Sequence, residues 1–403
     1  MAQLRENTWS LDEWYDQSVA GTTGGYTGEG NLYSWGAGSQ GRLGLNDTVF
    51  RSSPTQVPGA WGAGVNLAFT VGYYGQYTMA VKTDGTLWGW GKNQYGALMN
   101  NENGNPASKS SPIQIPGTYV DVGTSNAGTA AIKSDGTMWV AGHDSNGNLG
   151  LGHNQGRSSP TQLPGTTWSN VTGGGSAFMA VKTDGTFWTW GENNKGQLGH
   201  NNKTQYSSPR QVPGSTWTGK ISINTNKCGA IKSDGTLWTW GDNDQGVLGH
   251  NNAGEPQSYS SPKQIPGTTW NRISGHSQAV DNAGSNFLAT KTDGTLWAWG
   301  AQGDFGCLGL NQGPGGPSAG SRSSPTQVGT DTNWSLTEDP FADSFGACHV
   351  KNDGTFWVWG GNDEGRLGFN TPSNTRYSSP TQLPGTWAQG FVTYGGSMAV
   401  KPG

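Results

Sequence analysis

Lysine recurs along the chain, each time at the end of a short apolar segment. This regular placement makes it the first candidate for a chemical role. Six of the seven lysines stand two residues before an aspartate in a Lys-Xaa-Asp-Gly turn. The seven are Lys82, Lys133, Lys182, Lys232, Lys291, Lys351 and Lys401. A ring of amines could bind an anion, whereas an aspartate beside each amine would neutralise it. We expect local neutralisation.

Two acidic segments have a spacing typical of calcium loops, which place oxygen ligands at alternate positions. They are DNDQG, from Asp242 to Gly246, and DSNG, from Asp144 to Gly147. The corresponding segments elsewhere read KNQYG and ENNKG, so the acidic pattern does not repeat. Because Asn and Asp also cap turns without metal, we expect no metal site and no cofactor. Calcium near Asp242 and Asp244 is left open.

The common catalytic motifs are absent from the sequence. It contains no HExxH, GxxxxGK[ST], GxSxG or CxxC. The six histidines are scattered, and the equivalent loop residues His200 and His250 have no fixed acidic neighbour. We therefore expect no catalytic residue and no enzyme.

Composition excludes several classes of protein. The net charge is −4 over 403 residues and no basic run is present, which argues against a nucleic-acid partner. Three cysteines are too few for a disulfide framework. No apolar run is long enough for a membrane span or a signal peptide. We expect a soluble protein synthesised into the cytoplasm.

One phrase recurs throughout the chain. MAVKTDGTLWGWG, from Met79 to Gly91, returns as MAVKTDGTFWTWG from Met179 to Gly191. Four markers follow one another seven times: an apolar strand ending in lysine, GTLWxWG, a GxLG turn and SSPxQ. Repetition at a fixed period predicts a structural unit stacked on its own copies.

Each repeat predicts four short antiparallel strands, and such units arranged radially make a β-propeller. The chain starts in the middle of a unit at LYSWG and ends in SMAVKPG, so its two ends complete each other. We therefore predict an all-β, seven-bladed propeller over residues 29–403. Strands near 397–401 and 31–35 should pair in one blade and close the ring.

The phrase AVKTDGTLWxWG…N…GxLG…SSPxQ closely resembles the bacterial form of the regulator-of-chromosome-condensation repeat family. The resemblance covers residues 29–403 and implies a seven-bladed propeller. Members of that family include a nucleotide-exchange factor for a small GTPase, a plant ultraviolet-B photoreceptor and a secreted β-lactamase inhibitor. Fold alone therefore does not determine function.

Tryptophan, present 20 times, has two interpretations. The indoles could wedge between adjacent blades, where each buries a large apolar area. They could also form a light-absorbing cluster like that implied by the photoreceptor resemblance, which needs surrounding arginines. The chain has few arginines, so we expect the structural role. Ala141 and Tyr119 replace tryptophan in one repeat, which should be the weakest packed.

Loop length varies between repeats in two classes of connection, the first-to-second and the third-to-fourth. In an antiparallel blade both lie on the same face, and variable loops on a rigid scaffold often carry recognition. We expect that face to bind a protein or a glycan unless the loops vary for lack of constraint. The candidate residues are Tyr73, Tyr74, Tyr77, His276, Asp281, Asp339, Phe341 and Asp343.

Residues 1–28 lie outside the repeats. SLDE, from Ser10 to Glu13, is a capping box that predicts a short helix, followed by a glycine-rich linker. Such a segment could cap its own propeller or anchor the chain to a partner. It weakly resembles the leaders of marine bacteriophage structural proteins. The anchoring candidates are Trp9, Leu11, Trp14 and Tyr15.

Two functions follow from these features. The first is a non-catalytic display or adhesion protein of a bacteriophage virion, tethered to other virion proteins by residues 1–28. The alternative is an intracellular protein-binding propeller, such as a GTPase regulator or an enzyme inhibitor, located in the cytoplasm.

Overall fold

The computed structural model describes residues 31–61, 66–69, 76–104, 107–252, 257–275, 285–312, 320–343, 345–372, 374–393 and 395–402. These residues form seven four-stranded antiparallel sheets, as predicted. The expected helix of the leader lies outside the described residues. Within the described part of the chain, no helix is long and apolar enough to cross a membrane.

The strands run in chain order through the blades. They are β1 (Leu32–Gly36), β2 (Arg51–Gln56), β3 (Asn66–Phe69), β4 (Tyr77–Val81), β5 (Leu87–Gly91), β6 (Lys109–Ile115), β7 (Tyr119–Thr124), β8 (Gly128–Lys133), β9 (Met138–Gly142), β10 (Arg157–Leu163), β11 (Trp168–Gly174), β12 (Ala177–Lys182), β13 (Phe187–Gly191), β14 (Tyr206–Val212), β15 (Trp217–Asn224), β16 (Lys227–Lys232), β17 (Leu237–Asp242), β18 (Ser258–Ile265), β19 (Trp270–Ser274), β20 (Asn286–Lys291), β21 (Leu296–Gly300), β22 (Arg322–Gln327), β23 (Phe341–Ala342), β24 (Gly346–Val350), β25 (Thr355–Gly361), β26 (Arg376–Thr386), β27 (Gln389–Val392) and β28 (Ser397–Val400).

Blade 1 combines the two ends of the chain in the order β27-β28-β1-β2, and blades 2 to 7 take four consecutive strands each. In blade 1, Leu32 pairs with Val400 and Trp35 with Ser397. The predicted closure is therefore confirmed. At five of the seven seams the first strands of neighbouring blades contact one another and form the innermost layer.

The hairpin between the second and third strands of a blade is held by its own side chains. In blade 2, the Asp84 carboxylate accepts hydrogen bonds from the Thr86 amide at 2.8 Å and from the Thr86 hydroxyl at 2.6 Å. The Thr86 hydroxyl in turn accepts the indole N–H of Trp88 at 2.8 Å. Gly85 has φ +82°, a conformation that glycine adopts without strain. The recurring Asp-Gly-Thr-Xaa-Trp pattern is thus one hydrogen-bonded unit.

The strand-end lysines contact aromatic rings. Lys182 Nζ lies 4.7 Å from the Trp168 ring centre and 4.3 Å from that of Trp188. All seven lysines repeat this contact over a pair of aromatic rings, with a tyrosine as one of the two rings at Lys133 and Lys401. The expected neutralisation of each lysine by its aspartate is a minor part of this arrangement. In the hairpin after Lys182, the largest cause of the lowered pKa of Asp184 is the hydrogen bond from the Thr186 hydroxyl, and the charge of Lys182 contributes less.

Tryptophans of the third strands fill the seams between blades. Trp190 is fully buried and donates its indole N–H to the Asn148 carbonyl of the preceding blade at 3.0 Å. The same bond recurs from Trp35, Trp90, Trp240 and Trp359. These contacts support the structural role of the indoles. In blade 3, Ala141 replaces the tryptophan and lies in one buried cluster with Tyr77 and Tyr119.

The GxLG turn of each blade docks on the SSP strand of the next. A Cβ on Gly96 would lie 2.5 Å from Ser158 Cα, which only glycine avoids. The Ser158 carbonyl also accepts the Asn101 amide at 3.0 Å. The other six seams repeat both contacts, so these two markers lock neighbouring blades together.

Candidate functional site: the loop face

The two variable classes of connection lie together, as predicted. Because consecutive strands in each blade are antiparallel neighbours, the first-to-second and third-to-fourth connections emerge at one end of every blade. We call this end the loop face and the opposite end, with the Lys-Xaa-Asp-Gly turns, the hairpin face.

Turns on the loop face are built on a fixed polar cap. The Asn193 side-chain oxygen accepts the Leu198 amide at 2.9 Å, and Asn93 caps Leu98 in the same way. Asp144, one of the calcium candidates, occupies this capping position and accepts the Leu149 amide at 2.8 Å. The loops therefore present side chains from a rigid backbone.

One position of this scaffold changes chemistry from blade to blade. It is the residue before the glycine of each GxLG turn, which lies at the seam with the next blade. Tyr95 contacts His143 across its seam, Lys195 contacts Asp242, and Phe305 contacts Arg376. The seven seam residues are Gln40, Tyr95, Asn146, Lys195, Gln245, Phe305 and Glu364.

The seam between blades 2 and 3 contains a cavity of about 370 Å³. Tyr95 and His143 form one wall, with ring centres 4.7 Å apart and planes at 53°. Arg157, at the start of β10, and the polar residues Gln94 and Asn103 line it further. A volume in this range suits a ligand or a protruding side chain.

The seam between blades 6 and 7 carries a second aromatic and cationic patch. The rings of Phe305 and Phe345 are 5.2 Å apart. The guanidinium of Arg376 lies 5.1 Å from the Phe305 ring centre, and that of Arg366 lies 5.1 Å from the Phe345 ring centre. Arg376 is exposed, whereas Arg366 is buried.

Asp242 lies between two amines. Its carboxylate is fully buried, 3.6 Å from Lys195 Nζ and 3.9 Å from Lys227 Nζ. Lys227 also donates to the Ser285 hydroxyl at 2.9 Å, and burial lowers the Lys227 pKa. The two amines stand beside the carboxylate, in the space that a bound metal cation would need. Within the described residues, no group of three or more His, Cys, Asp or Glu residues could hold a metal.

His200 and His250 each contact a threonine hydroxyl, which indicates a structural role. Their Nε2 atoms lie 3.0 Å from the hydroxyls of Thr189 and Thr239, and burial lowers the pKa of both histidines to about 4. Sequence reasoning identified their equivalence but not these partners.

Three of the residues expected to contact a partner are buried instead. Tyr77 is 1% exposed and donates to the Gly128 carbonyl at 2.7 Å, so it fills the seam that Ala141 leaves open. Phe341 packs on Phe391, and Asp343 is 1% exposed. These three side chains therefore lie inside the propeller and not on the exposed surface of the loop face, and β4 is buried along its whole length.

Of the other predicted residues, one is exposed and the rest lie outside the described residues. Asp339 is exposed, and its carboxylate lies 3.2 Å from Arg272 Nη1. Tyr73, Tyr74, His276 and Asp281 lie outside the described residues, as do the anchoring candidates Trp9, Leu11, Trp14 and Tyr15. Sequence reasoning missed Tyr95, His143 and Arg157, although the variation before each GxLG glycine was visible in the repeat.

Comparison with known proteins gives the type of repeat. A model of the regulator of chromosome condensation (RCC1) repeat matches residues 29–66, 184–229 and 234–277. Human E3 ubiquitin-protein ligase HERC2 is 32% identical over 139 residues, 32% of this chain and 3% of that protein. The human RCC1-like G exchanging factor-like protein is 32% identical over 149 residues, 35% of this chain and 30% of the relative. The chain thus spans less than a third of either relative.

The solved structure of Prp20p from Saccharomyces cerevisiae, a protein studied for its binding to Gsp1p and histones, has the same architecture. It superposes with a TM-score of 0.76 at 18% identity, over 93% of this chain and 92% of that one. Identity this low shows the fold alone. None of these matches supports the bacteriophage origin expected from the sequence. The chain is a seven-bladed β-propeller with repeats of the RCC1 type.

Proposed function

We propose that this chain is a non-catalytic protein-binding propeller that holds a partner protein on its loop face. The observation that carries the proposal is the variation at the seven seam residues. Residues that build the blades repeat almost unchanged, whereas the side chains at this one backbone position are amide, phenol, amine, phenyl or carboxylate. Variation on a fixed scaffold is typical of recognition surfaces.

The chemistry of two seams supports a protein partner. Tyr95 with Arg157, and Phe305 with Arg376, pair an aromatic ring with an arginine on the loop face. Aromatic residues and arginine are enriched where protein interfaces concentrate their binding free energy. The binding of Prp20p to Gsp1p and histones is in line with this use of the fold.

Regulation of a GTPase is a second, narrower candidate. It is favoured by the similarity to the RCC1-like G exchanging factor-like protein, which covers 35% of this chain. Display in a bacteriophage virion would depend on residues 1–28, outside the described part, and the relatives lend it no support. A cytoplasmic location therefore suits the proposal better than a virion.

Site-specific photo-crosslinking tests the choice of face. Benzoylphenylalanine would replace Tyr95 or Phe305 on the loop face, and Ser134 or Thr183, both exposed, on the hairpin face. Each full-length variant is irradiated in an extract of the source cells, and adducts are identified by mass spectrometry. We expect discrete protein adducts from the two loop-face positions and none from the hairpin positions. Adducts restricted to Ser134 and Thr183, or none at all, would contradict the proposal.

A further inference from the structure

The cavity between blades 2 and 3 has the chemistry of a carboxylate site. We infer that it receives an acidic side chain of the partner protein, a conclusion that rests on the proposed function. Its lining contains the arginine Arg157 and the imidazole of His143 but no carboxylate. This is a local cationic site on a chain of net charge −4, so the overall charge does not explain it.

Arg157 is held in place by its own loop. One terminal nitrogen donates to the Gly156 carbonyl at 3.1 Å, and the other lies 3.2 Å from His153 Nε2. Behind His153, at 3.7 Å, stands the buried carboxylate of Asp144, whose other oxygen caps Leu149. A guanidinium has five N–H donors, so donors remain for a ligand. The restraint lowers the entropy that a bound carboxylate would cost.

The equivalent cations in blades 1 and 2 are already neutralised. Arg51 forms an ion pair with Asp47 at 2.6 Å, and Lys109 forms one with Glu102 at 2.6 Å. Arg157 stands at the same position, opposite the glycine that ends the third strand, yet forms no ion pair with any described residue. The buried Asp144 carboxylate behind His153 feels the charge of Arg157 without forming an ion pair with it, so the guanidinium keeps N–H donors for an incoming carboxylate.

Arg322 occupies this position in blade 6 and serves as an internal control. It donates to the carbonyls of Gly320 and Ser321, as Arg157 does to Gly156. In the sequence, Gln245 takes the position that Tyr95 has in blade 2, and Ala301 stands where blade 3 has His143. Arg322 thus has a comparable charge without the aromatic and imidazole wall.

The aromatic wall beside Arg157 favours particular residues next to the acidic residue in the partner's sequence. The half-buried Tyr95 ring and the exposed His143 ring offer a flat surface next to the guanidinium. An acidic residue adjacent to an aromatic or aliphatic one would place its carboxylate on Arg157 and its neighbour on this surface. Paired hydrogen bonds between arginine and carboxylate are among the strongest polar contacts in proteins.

A pair of short peptides tests the inference on the full chain. Fluorescein-labelled Gly-Glu-Phe-Glu-Gly amide and its Gln counterpart are titrated by fluorescence anisotropy, and a Gly-Gly-Phe peptide with a free C-terminus reports on a terminal carboxylate. We expect the Glu peptide to bind at least tenfold more tightly than the other two. Arg157→Gln should lose that preference, Arg157→Lys should keep part of it, and Arg322→Gln should change affinity less than twofold.

Several outcomes would overturn the assignment. They are equal affinity of the Glu and Gln peptides, equal losses in the Arg157→Gln and Arg322→Gln variants, preference for the terminal carboxylate, and no binding of the Glu peptide. Melting temperature and circular dichroism confirm folding, and Tyr95→Ala provides a second variant that should weaken binding. Failure here together with partner crosslinking at Tyr95 would reject the carboxylate site and leave the protein-binding function standing.

Discussion

Leu32 lies directly opposite Val400 in an antiparallel strand pair, and this relationship joins the two ends of the propeller. Strand β28, which contains Val400, also pairs with β27 on its other side. Removing β28 would expose two strand edges and open the ring.

Deletion of residues 395–403 should therefore lower the melting temperature by on the order of 10 °C or more. Deletion of residues 402–403 is the control, because Pro402 is exposed beyond the last strand. Differential scanning calorimetry measures the melting temperatures of both deletion variants. Equal melting temperatures would show that closure does not depend on β28.

Trp190 and Trp299 provide a matched test of the seam hydrogen bond. Both are fully buried, and each stacks on a phenylalanine, Phe178 at 5.9 Å and Phe287 at 5.6 Å. Trp190 donates to the Asn148 carbonyl, whereas the Trp299 N–H has no hydrogen-bond partner among the described residues. Trp190→Phe should lower the free energy of unfolding by about 1–2 kcal/mol more than Trp299→Phe. Urea denaturation measures both, and equal losses would mean that the bond adds nothing beyond packing.

Lys291 tests the contact between amine and indole. Its Nζ lies 3.8 Å from the Trp297 ring centre and 4.8 Å from that of Trp270. Lys291→Met keeps the length of the side chain and removes the charge, so the free energy of unfolding should fall by about 0.5–1 kcal/mol. Lys203→Met, at an exposed loop position, should leave it unchanged. An equal response of the two variants would refute a specific role for the contact.

Three histidines should make the protein less stable in acid. Burial lowers the pKa of His200 and His250 to about 4 and that of His349 to about 3, against an ordinary value of 6.5. The unfolded chain takes up these protons first as pH falls, so stability is full above pH 6.5 and declines toward pH 4. The half-buried His200 and His250 should contribute about 1 kcal/mol each, since solvent screens them.

Unfolding free energies measured between pH 4 and pH 8 show this slope. The double variant His200→Gln/His250→Gln should have a flatter profile than the parent across that range. The hairpin aspartates act in a lower window, because hydrogen bonds from threonine lower the pKa of residues such as Asp184 below 3.8. A profile that is unchanged in the double variant would assign the acid sensitivity to other groups.

The amino-acid sequence by itself determined the blade and the closure. The turn Lys182-Thr183-Asp184-Gly185 and the alternation of its flanking strands are local signals, readable within a dozen residues. The incomplete units at the two ends predicted the pairing of β1 with β28 for the same reason.

The tertiary structure decided which side chains face one another across the seams between blades. Tyr77 reads as a loop tyrosine, yet it fills the seam beside Ala141, because the space there depends on a side chain missing from another blade. Tyr95, His143 and Arg157 come from two blades and form one cavity only after those blades dock. Local patterns specify strands and turns, whereas burial and charge at a seam depend on contacts between residues distant in sequence, and only the closed ring sets those contacts.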